Sequence, residues 1–171
     1  MGNTGQTLLV LGSLVLFSLV LPSLNQTILY NDRTLVATNA EMTAISLAQK
    51  FLAEAGTKAF DTACVGAEPT SPSQLTSPFS LGPGMGETYP NFNDLDDFDG
   101  LAITDSITFP SVPFNITAVV NYVNPLSPTT VVAFQTWTKR MQVTVTSPWL
   151  INPASGTNVT ITMEQVYAYY N

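Results

Sequence analysis

Residues 7–24 read TLLVLGSLVLFSLVLPSL, an almost unbroken run of leucine and valine, and this stretch decides the fold. It lies within a longer segment, residues 1–31, that carries no charged side chain; the first charges are Asp32 and Arg33. A helix needs about 20 apolar residues to cross the hydrocarbon core of a bilayer. The apolar run therefore predicts a helix just long enough to span a membrane.

The helical pattern continues past this apolar run toward Phe60. Between residues 34 and 60 the apolar side chains recur mostly three or four positions apart, which is the spacing of one buried face on an α-helix. Gly56 is a common type of end signal, yet the residues after it can extend the helix. We therefore predict one long helix, apolar all round over residues 1–31 and amphipathic over residues 32–60. The predicted buried face consists of Leu35, Val36, Ala40, Ile45, Leu47, Ala48, Phe51, Leu52 and Ala55.

Three ordinary interpretations of residues 7–24 compete. A cleavable secretory signal lacks support, because no lysine or arginine precedes the run and no A-x-A-like site follows it. A membrane anchor fits the length, although the missing basic flanks leave its orientation unset by the positive-inside rule. A buried core helix would need a soluble domain large enough to cover a helix that is apolar all round. The chemistry alone favours a retained anchor.

The order of features along the helix resembles the shaft helix of bacterial type IV pilins and of the related pseudopilins of type II secretion. Members of that family start directly with the apolar helix and carry a helix-disturbing proline about two-thirds along it. Pro22 falls at that position when Met1 is the first residue, and Gly12 and Ser13 lie near the usual small residue. The chain turns polar at residues 31–33, as the family does. Proline lacks an N–H and clashes with the preceding turn, so a bend or local loosening is expected there.

Two features depart from the family pattern. Gly5 stands where most members carry a glutamate that pairs with the terminal amine of a neighbouring subunit. This chain either lacks that contact or uses Gln6 as a weaker polar substitute. The basic leader that the family's prepilin peptidase removes is also missing before the apolar run, which is compatible with Met1 as a mature first residue.

The resemblance implies a structural subunit of an extracellular helical filament that polymerises through its N-terminal helix and serves adhesion or motility. The implied partners are further copies of the chain, the inner membrane before assembly and the pilus assembly machinery. The alternatives are a pseudopilin of a type II secretion system and a membrane-anchored surface-binding domain that never polymerises. The residues expected in the filament core are Leu8, Leu9, Leu11, Leu14, Val15, Phe17, Leu21 and Pro22.

The composition bounds the remaining functions. Twelve acidic against five basic residues give a formal charge of −7, which disfavours nucleic acid as a partner because phosphates require lysine or arginine. The chain has no histidine and no phosphate-binding loop followed by lysine, so we expect neither enzyme activity nor an organic cofactor. Cys64 is the sole cysteine; it is either a small buried apolar residue or a partner in an intermolecular disulfide.

Residues 61–100 are predicted to form a surface loop. They carry many turn signals, such as Pro69, Pro72 and the glycine-rich segment 82–86, and show no clear periodicity. A stretch of this length without regular elements is uncommon in a compact domain and is usually functional or wrapped over something. The resemblance also implies a variable, exposed segment between the helix and the sheet.

The end of this region is strongly acidic and ends in Gly100. Its spacing resembles an EF-hand loop only superficially, because Phe98 occupies the third ligand position and no glutamate stands at the twelfth. A structural turn is the other interpretation, with carboxylates bonding nearby N–H groups, Gly100 at positive φ, and Leu95 and Phe98 filling the core. A similar acidic segment recurs in a subset of pilin-like proteins. The candidate calcium ligands are Asp94, Asp96, Asp97 and Asp99.

Residues 101–171 alternate between apolar and polar side chains, as antiparallel strands do. The clearest strands are residues 114–123, 140–146 and 159–170, with further short ones predicted at 101–109 and 131–136. Long helix followed by strands is an α+β arrangement, here a long N-terminal helix packed on a small antiparallel sheet. Residues 32–171 are expected to form one globular unit, hereafter the head.

Overall fold

The computed structural model describes residues 3–106 and 112–170. One helix, α1, runs without interruption from Thr4 to Ala55 and includes Pro22. It ends at Ala55 with Gly56 as its C-cap, so the predicted extension toward Phe60 is wrong. Beyond Gly56 the chain turns, and Ala59 pairs with Asp94 in an isolated parallel bridge.

The second half of α1 packs on the head through one face, as predicted. Most of the expected residues are buried or half-buried, but Leu35 and Val36 are exposed, and that part of the prediction is wrong. They lie before Ala37, the first buried residue of the helix, at the margin of the head, where Val36 only lines a cavity with Val112, Phe114 and Trp149. The hydroxyl of Tyr167 on β5 donates to the carbonyl of Leu52 at 2.6 Å and ties the last turn of the helix to the sheet. The buried residues of the helix are Ala37, Ala40, Ala44, Leu47, Ala48, Phe51, Leu52 and Ala55.

Five antiparallel strands form the sheet, which confirms the α+β arrangement. Four of them follow the order β1-β2-β4-β5, and β3 pairs with β2 beside this path. Most of the sheet is a meander of neighbouring antiparallel strands, and α1 contacts β4 and β5. The strands are β1 (Ala102–Asp105), β2 (Phe114–Asn124), β3 (Ser127–Val131), β4 (Thr138–Thr146) and β5 (Ile161–Ala168).

Side-chain alternation in β2 and β4 is confirmed. Ile116, Ala118, Val120 and Tyr122 are buried on one face of β2, and β4 buries every second residue from Met141 to Val145. β5 alternates only between half-buried and exposed residues, because it lies at the edge of the sheet.

The short-strand predictions were less accurate. The strand predicted at residues 131–136 is wrong: β3 ends at Val131, and residues 132–136 lie in no strand. The strand predicted at 101–109 is present as β1, Ala102–Asp105, and residues 107–109 lie outside the described residues.

The segment of residues 61–100 is not simply a surface loop. It contains three short 3-10 turns, and its apolar residues reach the core shared by α1 and the sheet. Phe92 and Phe98 meet edge to face at 5.1 Å between ring centroids. Leu95 and Phe98 are fully buried, which confirms that they fill the core. The segment is therefore a third layer of the head, held by long-range contacts rather than by its own periodicity.

Candidate functional site

The first half of α1 is uncovered on every side. Each residue from 3 to 33 is exposed, and none of the apolar window that is long enough to cross a membrane is buried. A soluble surface does not carry so large a continuous apolar patch unless it meets lipid or another protein. This surface is the first candidate functional site. It includes all the residues expected in a filament core: Leu8, Leu9, Leu11, Leu14, Val15, Phe17, Leu21 and Pro22.

Hydroxyl groups along this half bond to the helix itself. Ser13 donates to the carbonyl of Val10 and Ser18 to that of Val15, each at 2.8 Å. These local bonds hide polar groups that an apolar environment would otherwise penalise. Pro22 has no N–H for the carbonyl of residue 18, and the helix nevertheless continues through it.

The acidic segment lies inside the head rather than at its surface. Asp94 accepts hydrogen bonds from the backbone N–H of Asp96 at 2.8 Å and from the hydroxyl of Thr62 at 2.5 Å. Asp97 accepts from the N–H of Asn93 at 2.9 Å. Three of the four aspartates, all except Asp99, are at most 1% exposed.

These contacts match the structural-turn interpretation of the acidic segment. Asp99 accepts from the N–H of Val120 at 2.8 Å and ties the turn to β2, while Gly100 adopts a φ of 76°. Within residues 3–106 and 112–170 no group of three or more acidic, cysteine or histidine side chains is arranged to hold a metal ion. Calcium binding by Asp94, Asp96, Asp97 and Asp99 stays an untested prediction.

A buried lysine is the second candidate site. Lys139 on β4 is completely buried, and its Nζ donates to Asp61 Oδ2 at 2.6 Å, to the carbonyl of Phe60 at 3.0 Å, and to Asp96 Oδ1. Its Nζ also lies over the rings of Phe60 and Tyr122, at 4.6 and 4.8 Å from their centroids. We call Lys139, Asp61 and Asp96 the ionic cluster.

Asp61 is the best-supported carboxylate of the ionic cluster. It accepts from the N–H of Ala63 and, on both oxygens, from the N–H of Thr76, at 3.0–3.1 Å. The hydroxyl of Tyr122 lies 3.0 Å from Asp61 Oδ2. Burial alone would raise the pKa of Asp61, but Lys139 and these N–H groups hold it below its ordinary value.

Asp96 is in the opposite situation. Its Oδ2 atom is buried and has no hydrogen-bond partner among the described residues. Burial raises the pKa of Asp96 to about 7, against the opposing attraction of Lys139. The two carboxyls beside one ammonium group are therefore unequal: the pKa of Asp61 lies below the ordinary value of an aspartate, and the pKa of Asp96 lies well above it.

Sequence reasoning missed Lys139 and Asp61, although a signal for Lys139 existed. The alternation of β4 places residue 139 on the same face as Met141, Val143 and Val145. A lysine on a buried face requires a carboxyl partner, and the chain offers an acidic segment with no other obvious use. No local pattern distinguishes Asp61 from other loop aspartates, because its partners come from distant parts of the chain.

Cys64 lies at the end of a short 3-10 turn, Thr62–Cys64. It is half-buried rather than buried, so the simpler sequence interpretation is only partly right. Burial raises the pKa of its thiol, with a further contribution from the charge of Asp61. The intermolecular disulfide stays an untested alternative.

The buried carboxyls predict how the stability of the head depends on pH. Burial raises the pKa of Asp94 and of Asp97, and it raises that of a free Asp96 carboxyl to about 7. The folded chain therefore keeps protons that the unfolded chain releases above about pH 4. Stability is then fully present below that pH and falls as the pH rises through the folded pKa values. Asp61 acts in the opposite sense, and its contribution is lost only in stronger acid.

We expect the denaturant midpoint of the protein to be higher at about pH 5 than at about pH 8. Asp97→Asn should reduce this difference, since it removes one titrating group and keeps an acceptor oxygen. A midpoint that rises with pH across this range contradicts the prediction.

Comparisons with protein-family models, characterised proteins and solved structures give no match to this chain. The resemblance to type IV pilins therefore stays a prediction from the sequence. The function is inferred from the exposed apolar helix and from the head that it carries.

Proposed function

We propose that the chain is a structural subunit of an extracellular, pilus-like helical filament and polymerises through the first half of α1. One observation carries the proposal. The helix is apolar and uncovered on all sides from Thr4 to beyond Leu24, while its second half is anchored on the head through a single face. A partner that packed against one face of this half would leave its other apolar sides in contact with water. A bundle of neighbouring helices covers all of its sides.

The energetics of such an exchange are favourable. Before assembly, lipid surrounds Leu8, Leu14 and their neighbours, since the helix is long and apolar enough to cross a membrane. In the filament the same side chains pack against sister helices. One apolar environment replaces another, so helix packing rather than the hydrophobic effect supplies the preference. A head-to-tail contact that does not close on itself produces an open helical fibre.

The head then forms the outer surface of the fibre. All charged side chains of the chain lie from Asp32 onward, so the head carries the whole formal charge of −7. Adhesion or surface motility is the role that such a coat supports. The same architecture serves a pseudopilin or a non-polymerising anchored head, and these differ from a pilus in whether long fibres form.

Electron microscopy of the full-length protein, purified in detergent and then freed of it, tests the proposal. Long fibres of uniform diameter are expected. Closed micelle-like particles without fibres indicate an anchored head and contradict the filament role. Short rods that require other proteins of a secretion system indicate a pseudopilin.

A chain that begins at Asp32 is expected to be soluble and monomeric. It keeps the buried face from Ala37 to Ala55 but loses the uncovered apolar half. Size-exclusion chromatography checks its mass, and circular dichroism should show mixed helix and strand. Robust fibre formation by this shortened chain would assign polymerisation to the head instead.

A further inference from the structure

The ionic cluster places an amine beside two carboxyl groups in a buried site. Lys139 and Asp61 are 0% exposed and Asp96 is 1% exposed. The cluster joins three distant parts of the chain, since β4 carries the lysine, and each carboxyl comes from a different turn of the 61–100 segment. Rings of Phe60 and Tyr122 flank the amine. Burying an ion pair of this kind costs free energy, because the charged groups lose their hydration.

The two carboxyls differ in what they can do. Asp61 lies 2.6 Å from Lys139 Nζ, which is close enough to accept a proton from the ammonium group directly. Asp96 contacts the same Nζ through Oδ1, and its other oxygen is unpartnered. That free position accommodates the proton of a neutral carboxylic acid, which is the electrophilic form of the group.

We propose that Lys139 and Asp96 form an intramolecular amide bond, with Asp61 as the proton acceptor. The proposal is independent of filament assembly, since all three residues lie within one head. The bond would link β4 covalently to the 3-10 turn Asp96–Phe98 across 43 residues of chain.

The reaction balances without any co-reactant. Asp61 takes one proton from the ammonium group of Lys139, and the lone pair of the amine attacks Cγ of the protonated Asp96. The C–O bond to the hydroxyl breaks as the new C–N bond is completed. A second proton from nitrogen leaves with that hydroxyl as water. The products are one amide, one water molecule and protonated Asp61, which later returns its proton to solvent.

Burial favours this reaction in two ways. In water an amine and an acid ionise each other, and the salt is unreactive; here desolvation opposes that ionisation at Asp96. Fixing the amine against the carboxyl also replaces a bimolecular encounter with a positioned one. The neutral amide then removes charges that are costly to bury, and the exclusion of water opposes hydrolysis.

The intact mass of the full-length protein tests the proposal directly. The expected mass is lower than that of the sequence by one water molecule. A mass equal to that of the sequence shows that the cluster stays an ion pair and overturns the proposal. This measurement needs no variant and is made on denatured protein.

The position of the bond follows from digestion with chymotrypsin, which cuts after aromatic residues. Phe92 and Phe98 bracket Asp96, while Trp137 precedes Lys139, so the two partners fall in separate peptides. One linked peptide containing Asp96 and Lys139 is expected. A water loss confined to the peptide that begins at Asp99, next to Gly100, indicates a cyclic imide there and overturns the assignment.

Two variants separate the roles. Lys139→Arg and Asp61→Ala should each restore the full mass, the first by removing the amine and the second by removing the proton acceptor. Asp94→Asn is the matched control, because it keeps an acceptor oxygen for its N–H partners and does not touch Lys139. Its mass should still show the water loss. Full retention of the linked peptide in Asp61→Ala would exclude Asp61 as the proton acceptor.

Discussion

Leu14→Asp is expected to abolish fibre formation while the head stays folded. Leu14 lies in the middle of the uncovered apolar segment and is 61% exposed in the isolated chain. In a filament it would be enclosed by sister helices, where an unpaired carboxylate cannot be solvated. A charge at the centre of an apolar helix costs about 3 kcal/mol or more. Every subunit of a fibre would bear that cost, so assembly should fail.

The assay for this variant starts from detergent-purified protein, so membrane insertion in the cell does not decide the outcome. Fibres are counted by electron microscopy after removal of detergent, and circular dichroism reports whether the head is folded. Leu126→Asp is the matched control, since Leu126 is 95% exposed at the β2–β3 hairpin, far along the chain from α1. Normal fibres from Leu14→Asp would contradict a filament core made of this helix.

Periodicity predicted the regular elements well because they are locally determined. The apolar run identified α1, and the alternation around Val120 in β2 and Val143 in β4 identified both strands and their buried faces. The error in the buried face of α1 arises because that face ends where the surface of the head ends. Leu35 has the correct spacing for the buried face but lies before the head begins, and spacing alone contains no information about that limit.

The ionic cluster could be predicted only in part, for a different physical reason. Lys139 follows from strand alternation, yet its partners come from turns that lie 43 and 78 residues earlier in the chain. Residues 61–100 have no periodic pattern, so a loop was the expected structure. Their burial depends on tertiary contacts that override local preference, as the edge-to-face pair of Phe92 and Phe98 illustrates.

Phe98→Ala is expected to lower the free energy of unfolding of the head by about 3–5 kcal/mol. Phe98 is 0% exposed and lies at the centre of the core formed by α1, the sheet and the acidic turn. Its removal leaves a cavity and also ends the contact of its ring with Phe92. The loss is a large fraction of the total stability of a typical domain, about 5–15 kcal/mol.

Phe79→Ala provides the matched control within the same segment, because Phe79 is 86% exposed. The same chemical truncation at a surface position should change the free energy of unfolding by no more than about 0.5 kcal/mol. Denaturant unfolding followed by circular dichroism measures both variants. Equal effects at the two positions would mean that residues 61–100 lie on the surface, as the sequence pattern suggested. A large loss at Phe98 alone would establish that the acidic turn is a structural part of the core, whether or not it also binds calcium.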